Sequence, residues 1–259
     1  MSDINAVTFD LWQTLLLDNP EQGRIRTRAR LEGTQDLLAR TGETFPLEQI
    51  EQAYRDGVRR CQEIRDAHRD VTFLQQVQIF VNFISPRLVE RIPNTAFHAI
   101  AACYSDSFFD HPPGPHPEGV KVLRSVKEMG LRLGMISNTG MTPGVSFRRF
   151  LSEHGMLDYF DVLTFSDEVG FSKPACKIFD LTLEELGSSP AQAIHVGDHI
   201  FNDVAAAKDC GLRTIWIEGF YERPDHSDPA TEPDISVATL GEVPGAIRRL
   251  CVETGQRQD

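Results

Sequence analysis

The chain has 259 residues, 41% of them hydrophobic and 25% charged, which suits one large domain or a core with a smaller insert. A formal net charge of −12 argues against nucleic acid or an anionic membrane as the main partner, because neither is drawn to an acidic surface. No apolar run approaches the ~20 residues needed to cross a bilayer, and Met1-Ser2-Asp3-Ile4-Asn5 lacks the basic start of a signal peptide. The five cysteines (Cys61, Cys103, Cys176, Cys210 and Cys251) contain no C-x-x-C pair. They read as reduced, mostly buried residues of a cytoplasmic protein.

The first element is a strand. Ala6-Val7-Thr8-Phe9 is apolar and rich in β-formers, it ends on Asp10, and Thr14 follows four residues later. A carboxylate at the carboxyl end of a buried strand stands where open α/β sheets put ligands and chemistry, although Asp is also a common turn or cap residue there. Helical periodicity alone follows over residues 20–110. Leu47, Ile50, Tyr54, Val58, Cys61, Ile64 and His68 recur at three- and four-residue steps, as do Phe73, Val77, Phe80, Ile84 and Leu88, and then Phe97, Ile100, Tyr104 and Phe108. With a helix over residues 25–38, this predicts a bundle of about four helices. Pro46, Pro93 and the run His111-Pro112-Pro113-Gly114-Pro115 punctuate it.

From Pro117 the texture changes to alternating helix and strand. A helix over residues 118–129 closes on Gly130, and strands follow at 131–136, 162–165, 193–196 and 214–217. Alternation of this kind builds a parallel sheet wrapped by helices. The first strand has to join it, which makes the helical bundle an insertion. The fold class is therefore α/β, a Rossmann-like parallel sheet core with helices on both faces plus an inserted all-helical domain. Residues 1–17 and 114–259 form the core and residues 18–113 the insert. The Pro- and Asp-rich stretch 222–234 reads as a surface loop, and a last amphipathic helix ends near Cys251.

Three later segments supply partners for Asp10: Gly134-Met135-Ile136-Ser137-Asn138, Ser172-Lys173-Pro174, and Val196-Gly197-Asp198-His199-Ile200-Phe201-Asn202-Asp203. Together the four offer a carboxylate nucleophile, a hydroxyl, a cation and a further carboxylate pair, a kit for Mg²⁺-assisted phosphoryl transfer. In this order they resemble the haloacid dehalogenase (HAD) superfamily, from Ala6 to about Ile217. The resemblance implies a helical cap domain inserted after the first motif. It also implies that Asp10 is the nucleophile and that Asp10, the Trp12 backbone carbonyl and Asp198 bind Mg²⁺. Ser137, Asn138 and Lys173 would hold the phosphoryl group. Thr14 would brace the Asp10 loop, and Asp203 would hold a metal-bound water or pair with Lys173. Each has a plainer alternative: a turn for Thr14 and Ser137-Asn138, a solvated loop cation for Lys173, a helix cap for Asn202 or Asp203.

One position departs from the phosphatase pattern. Trp12 stands where those enzymes carry a second Asp, the general acid, and an indole N–H cannot replace it because it does not titrate in this range. Three readings stay open. The chain is a phosphohydrolase that uses a good leaving group, water or another residue such as His199; or it is a dehalogenase, a branch with an aromatic residue here; or it is a binding or regulatory protein of low turnover. Dehalogenases need no Mg²⁺, so the retained Asp198 and Asp203 favour the first. Schiff-base chemistry on a cap lysine is excluded, since no Lys precedes Lys121. The expected partner is a small phosphorylated metabolite, with no nucleic acid and no membrane, and the chain is expected to be a monomer or homodimer. Arg24/Arg28 and Arg26/Arg30 fall on two faces of one helix, so at most one pair points inward.

Overall fold

The computed structural model describes residues 4–219 and 231–256, and the counts below are of those residues. Six parallel strands form one sheet: β1 (Ala6–Phe9), β4 (Arg132–Ser137), β5 (Val162–Phe165), β6 (Ala193–Gly197), β7 (Arg213–Ile217) and β8 (Ile235–Val237), in the order β5-β4-β1-β6-β7-β8. β1 is central, pairing with β4 on one side and β6 on the other. It is buried on both faces, which explains why it reads as an unbroken apolar run. The short strands β2 (Leu16–Leu17) and β3 (Gly114–Pro115) pair antiparallel. They tie together the chain segments entering and leaving the helical insert.

The insert holds α1 (Pro20–Ala39), α2 (Leu47–Asp66), α3 (Phe73–Ile84), the single turn α4 (Leu88–Arg91) and α5 (Asn94–Asp110). Their inner faces bury Leu31, Leu38, Ile50, Val77, Phe80 and Ile100 in a cluster of their own. After it come α6 (Gly119–Lys127), α7 (Gly144–Glu153), α8 (Ser166–Val169), α9 (Cys176–Glu185), α10 (Ala206–Asp209) and α11 (Val243–Gln256). Alternation along the strands sends Val7, Phe9, Ile194 and Val196 to the face covered by α6, α7 and α11. Ala6, Ile136 and Ala193 go to the face covered by α9 and α10. Gly134 is needed there, because a Cβ on it would lie 2.9 Å from Leu186 and 3.0 Å from Thr182.

Several sequence expectations are corrected. The bundle has one helical turn more than the periodicity predicts, α4. The last helix runs to Gln256 rather than stopping near Cys251. β8 lies just beyond the stretch taken as a surface loop, most of which falls outside the described residues. Cys176 and Cys210 form a disulfide, with Cα atoms 5.3 Å apart, so the reading of five reduced cysteines does not hold. The two are 34 residues apart in sequence and meet only because α9 and α10 lie on one sheet face. Among the described residues no helix is long and apolar enough to cross a membrane.

Candidate active site

The functional side chains converge at the carboxyl ends of β1, β4 and β6, where the strand order around β1 opens a crevice. Asp10 follows β1 directly. Its backbone N–H donates to the Val196 carbonyl at 2.8 Å, which extends the ladder by one residue and aims the carboxylate outward. The chain then turns tightly, with Leu15 and Leu16 both donating to the Leu11 carbonyl. Gln13 takes a left-handed backbone, φ 62°, a conformation unfavourable for a residue with a Cβ. Its side-chain amide compensates by exchanging two hydrogen bonds with the backbone of Asp18, at 3.1 and 3.2 Å.

Lys173 is buried, with Nζ 2.6 Å from Asp10 Oδ1 and 2.6 Å from Asp203 Oδ1. Its backbone is held by Asn138, whose amide accepts from Lys173 N at 2.8 Å and donates to the Lys173 carbonyl at 3.0 Å. Asn138 also lines the cavity above Asp10. Ser137 is the last residue of β4 and is buried just behind the wall that Asn138 and Thr139 present.

Asp198 and Asp203 follow β6. Asp203 lies on a π-helical turn, Ile200–Ala205, that folds its carboxylate back over the strand end. Both of its oxygens are engaged: Oδ1 accepts from Lys173 and from His195 Nε2 at 3.1 Å, and Oδ2 accepts from His199 N at 2.9 Å. A carboxylate only accepts, so the His195 proton sits on Nε2, and its Nδ1 accepts from the Thr8 hydroxyl at 2.8 Å. Burial lowers the His195 pKa, in keeping with a neutral ring. Asp198 is anchored differently. The Thr14 hydroxyl donates to its Oδ1 at 3.4 Å, the Trp216 indole donates to its carbonyl at 2.8 Å, and its Oδ2 is buried with no hydrogen-bond partner.

The electrostatics of this cluster are short of positive charge. One ligand oxygen from each of Asp10, Asp198 and Asp203 lies within 4.8 Å of the others, and Lys173 is the only cation paired with them among the described residues. Burial raises the Asp10 carboxyl to about 6 against the pull of Lys173. Burial, reinforced by Asp10 and Asp203, raises Asp198 to about 8. Burial also opposes ionisation of Asp203, but Lys173 and His195 overcome it and hold that carboxyl well below the usual range. Lys173 itself is held charged by Asp10 and Asp203 in spite of burial. Three carboxylates around one ammonium leave a deficit that a divalent cation would fill. The donors fit Mg²⁺, which takes hard oxygens: Asp10, the orphaned Asp198 Oδ2, and the Trp12 carbonyl, to which no hydrogen bond runs among the described residues. Asp203 has no oxygen to spare and serves to position Lys173.

The cavity over this cluster measures about 410 Å³. Trp12 forms part of its wall, half-buried, with its ring 5.9 Å from Phe147 and the Arg26 guanidinium 6.0 Å from its centroid. The cap contributes Arg26 and Arg30, which are 4% and 5% exposed, whereas Arg24 and Arg28 face solvent. One arginine pair does point inward, as the helical spacing allows. The cap is also latched to the core. The Asp70 backbone N–H donates to the Gly170 carbonyl at 3.0 Å, and the Ser166 hydroxyl donates to the Asp70 carboxylate at 2.6 Å. Sequence reasoning passed over His195, Trp216 and the Asp70 latch. A lone His inside the apolar run Ala193-Ile194-His195-Val196 was the one available signal.

The parallel sheet, the inserted helices and the carboxylate–lysine cluster define an enzyme site at strand ends, in which an aspartate is held by a buried lysine beneath the helical insert. The sequence matches the haloacid dehalogenase-like hydrolase family over residues 4–211, and the chain belongs to that family. It is 27% identical over 243 residues to the ribulose-1,5-bisphosphate 5-phosphatase of Halopiger xanaduensis, covering 92% of this chain and 97% of that one. It is 28% identical over 155 residues to the glyceraldehyde 3-phosphate phosphatase of Methanopyrus kandleri, covering 59% of this chain and 64% of that protein. The chain thus aligns with somewhat under two thirds of the latter's length. Among solved structures, the 2-haloacid dehalogenase of Pseudomonas syringae pv. Tomato DC3000 superposes with a TM-score of 0.68 at 20% identity, covering 95% of this chain and 99% of that one. This likeness concerns the fold.

Proposed function

We propose that this hydrolase is a Mg²⁺-dependent phosphohydrolase of small phosphorylated metabolites that works through an aspartyl phosphate on Asp10. The observation that carries the reading is Asp198 Oδ2, a buried carboxylate oxygen with no hydrogen-bond partner in a cluster short of positive charge. A divalent cation would satisfy it, whereas displacement of halide from carbon by Asp10 would gain nothing from it. The names of the two relatives, which act on glyceraldehyde 3-phosphate and ribulose 1,5-bisphosphate, point to substrates of a size that suits a 410 Å³ cavity.

In this reading Asp10, Asp198 and the Trp12 carbonyl hold Mg²⁺, which when bound supplies charge neutralisation to the phosphoryl group. A carboxylate oxygen of Asp10 bonds to phosphorus as the bond from phosphorus to the alcohol oxygen breaks, and the electron pair leaves with that oxygen. Water then attacks phosphorus, releasing inorganic phosphate and restoring the Asp10 carboxylate. Lys173 stabilises the charge on Asp10 and on the transferring group. Asn138, on the cavity wall, contacts the phosphoryl oxygens, and Ser137 backs it from behind that wall. The Trp12 indole N–H does not transfer its proton in this range, so the leaving alcohol takes its proton from water. The site then favours substrates whose alcohol leaves readily.

The division into core (1–17 and 114–259) and cap (18–113) belongs to the same proposal and is supported by the helices' own hydrophobic cluster from Leu31 to Tyr104, with Phe108 at the end of α5 packing into the core cluster. So do a cytoplasmic setting and a monomeric or homodimeric state. The test is a panel of phosphorylated metabolites and 2-haloacids, assayed with Mg²⁺ and with chelator. Phosphate release that requires Mg²⁺ and is lost in Asp10→Asn supports the proposal. Halide release in chelator without phosphate release supports the dehalogenase reading instead, and turnover of neither class supports a binding role.

A further inference from the structure

Three cationic side chains of Lys or Arg line the cavity, and two of them are already neutralised. Lys173 faces Asp10 and Asp203. Arg26 forms an ion pair with Asp18 and donates to the His111 carbonyl at 2.7 Å. Arg30, one helical turn further along α1, is different. It is 5% exposed, and no carboxylate among the described residues lies within ion-pair distance of it.

The contacts that Arg30 makes are all to neutral groups. Nε donates to the Tyr104 carbonyl at 3.2 Å and to the Ser107 hydroxyl at 2.8 Å, Nη2 donates to the Thr142 hydroxyl at 3.2 Å, and the guanidinium stacks 5.4 Å from the Tyr104 ring centroid. Nη1 donates to nothing among the described residues. Removing a guanidinium from water without a counter-charge is unfavourable, and neutral acceptors offset only part of that cost. These contacts fix the orientation of the fork on a surface that the substrate cavity reaches. A planar guanidinium with a free edge is suited to bidentate recognition of an oxyanion.

We propose that Arg30 binds a second anionic group of the substrate, a carboxylate or phosphate distinct from the phosphoryl group that Asp10 attacks. The inference rests on the phosphohydrolase reading and deepens it: the substrate is a small metabolite carrying two oxyanions. Core residues hold the reacting phosphoryl group and the cap reads the other end.

The test uses three compounds with the same three-carbon spine: propyl phosphate, 3-(phosphonooxy)propanoate and propane-1,3-diyl bisphosphate. Each is assayed for phosphate release by the wild-type chain, Arg30→Met and Thr142→Val. Each is also titrated calorimetrically into Asp10→Asn and into Asp10→Asn/Arg30→Met. One or both of the doubly anionic compounds should be preferred over propyl phosphate, and the two arms show whether the second oxyanion is a carboxylate or a phosphate. Arg30→Met should reduce that preference by about 10–100-fold, mainly through KM, in line with the loss of a charge-assisted hydrogen bond. Thr142→Val, which removes a structural contact and keeps the charge, should retain the preference. Should Arg30→Met instead depress all three compounds equally, with Thr142→Val doing the same, Arg30 is a strut between cap and core and the proposal is overturned. Calorimetric preference that disappears with Arg30, in a chain whose wild type releases no phosphate from these esters and none from aryl or acyl phosphates with Mg²⁺, would uphold the anion site and reject the phosphohydrolase reading. Phosphate release with no preference in either assay would do the reverse.

Discussion

A Cβ placed on Gly197 would lie 2.3 Å from Asp203 Cγ. The strand end and the carboxylate that folds back over it therefore share a space that only glycine leaves open. Asp203 in turn holds Lys173, and Lys173 holds Asp10. Gly197→Ala should push the Asp203 carboxylate off Lys173 and destabilise the fold by about 1–3 kcal/mol, the usual cost of overpacking a buried site. Urea denaturation of the two proteins measures it. A Gly197→Ala chain of unchanged stability would mean that Asp203 moves aside at no cost.

Trp12→Asp should add the acid–base group that the site lacks. Activity toward phosphate esters with poor leaving groups should rise by up to ~10²–10⁴-fold, with a smaller gain for aryl phosphates, which need little protonation. Loss of the Trp12 contacts to Phe147 and Arg26 will lower stability, so a melting curve accompanies each rate. A folded Trp12→Asp chain that gains nothing on any ester would show that position 12 does not limit proton transfer.

Asp167 gives a pH-dependent stability. Burial raises its carboxyl to about 6 from an ordinary 3.8, against the Gly144 N–H that donates to it. The folded chain thus binds this proton more tightly than the unfolded chain does. Ionisation costs stability above pH 6, and the cost fades as pH falls through 6 toward 4. Asp167→Asn should therefore be the more stable protein at pH 8, by an amount on the order of 2–3 kcal/mol, with the advantage gone near pH 4. Thermal unfolding across that range decides the matter, and a gain that grows on acidification contradicts the assignment.

Much of this site was legible because its chemistry sits at strand ends. Asp10 and Asp198 each close an apolar run, and Lys173 precedes a helix, so pattern alone marks them. What escaped depends on tertiary geometry. Helical spacing shows that Arg26 and Arg30 share a face, but only the rotation of α1 against α5 turns that face inward. Pattern alone does not reveal that Gln13 takes a left-handed backbone, or that its side chain compensates for it through Asp18. His195 was absorbed into a strand reading, although Thr8 and Asp203 grip its ring from both sides.

The Cys176–Cys210 bridge is the clearest case of this kind, since nothing in a spacing of 34 residues announces it. It joins the helix following Lys173 to the helix following Asp203. Alkylation of the unfolded, unreduced chain should label three cysteines, Cys61, Cys103 and Cys251, and all five after reduction. Five labelled before reduction would show that the chain is isolated as the dithiol.

The central claim is that Asp10 carries the phosphoryl group. The direct measurement is a borohydride quench of the Mg²⁺-loaded chain during turnover of a phosphorylated substrate, followed by mass spectrometry of the peptide containing residue 10. Reduction of an aspartyl phosphate leaves homoserine, so the account predicts homoserine at position 10, dependent on substrate. Phosphate release with an unaltered Asp10, or with homoserine at Asp198 or Asp203 instead, would contradict it.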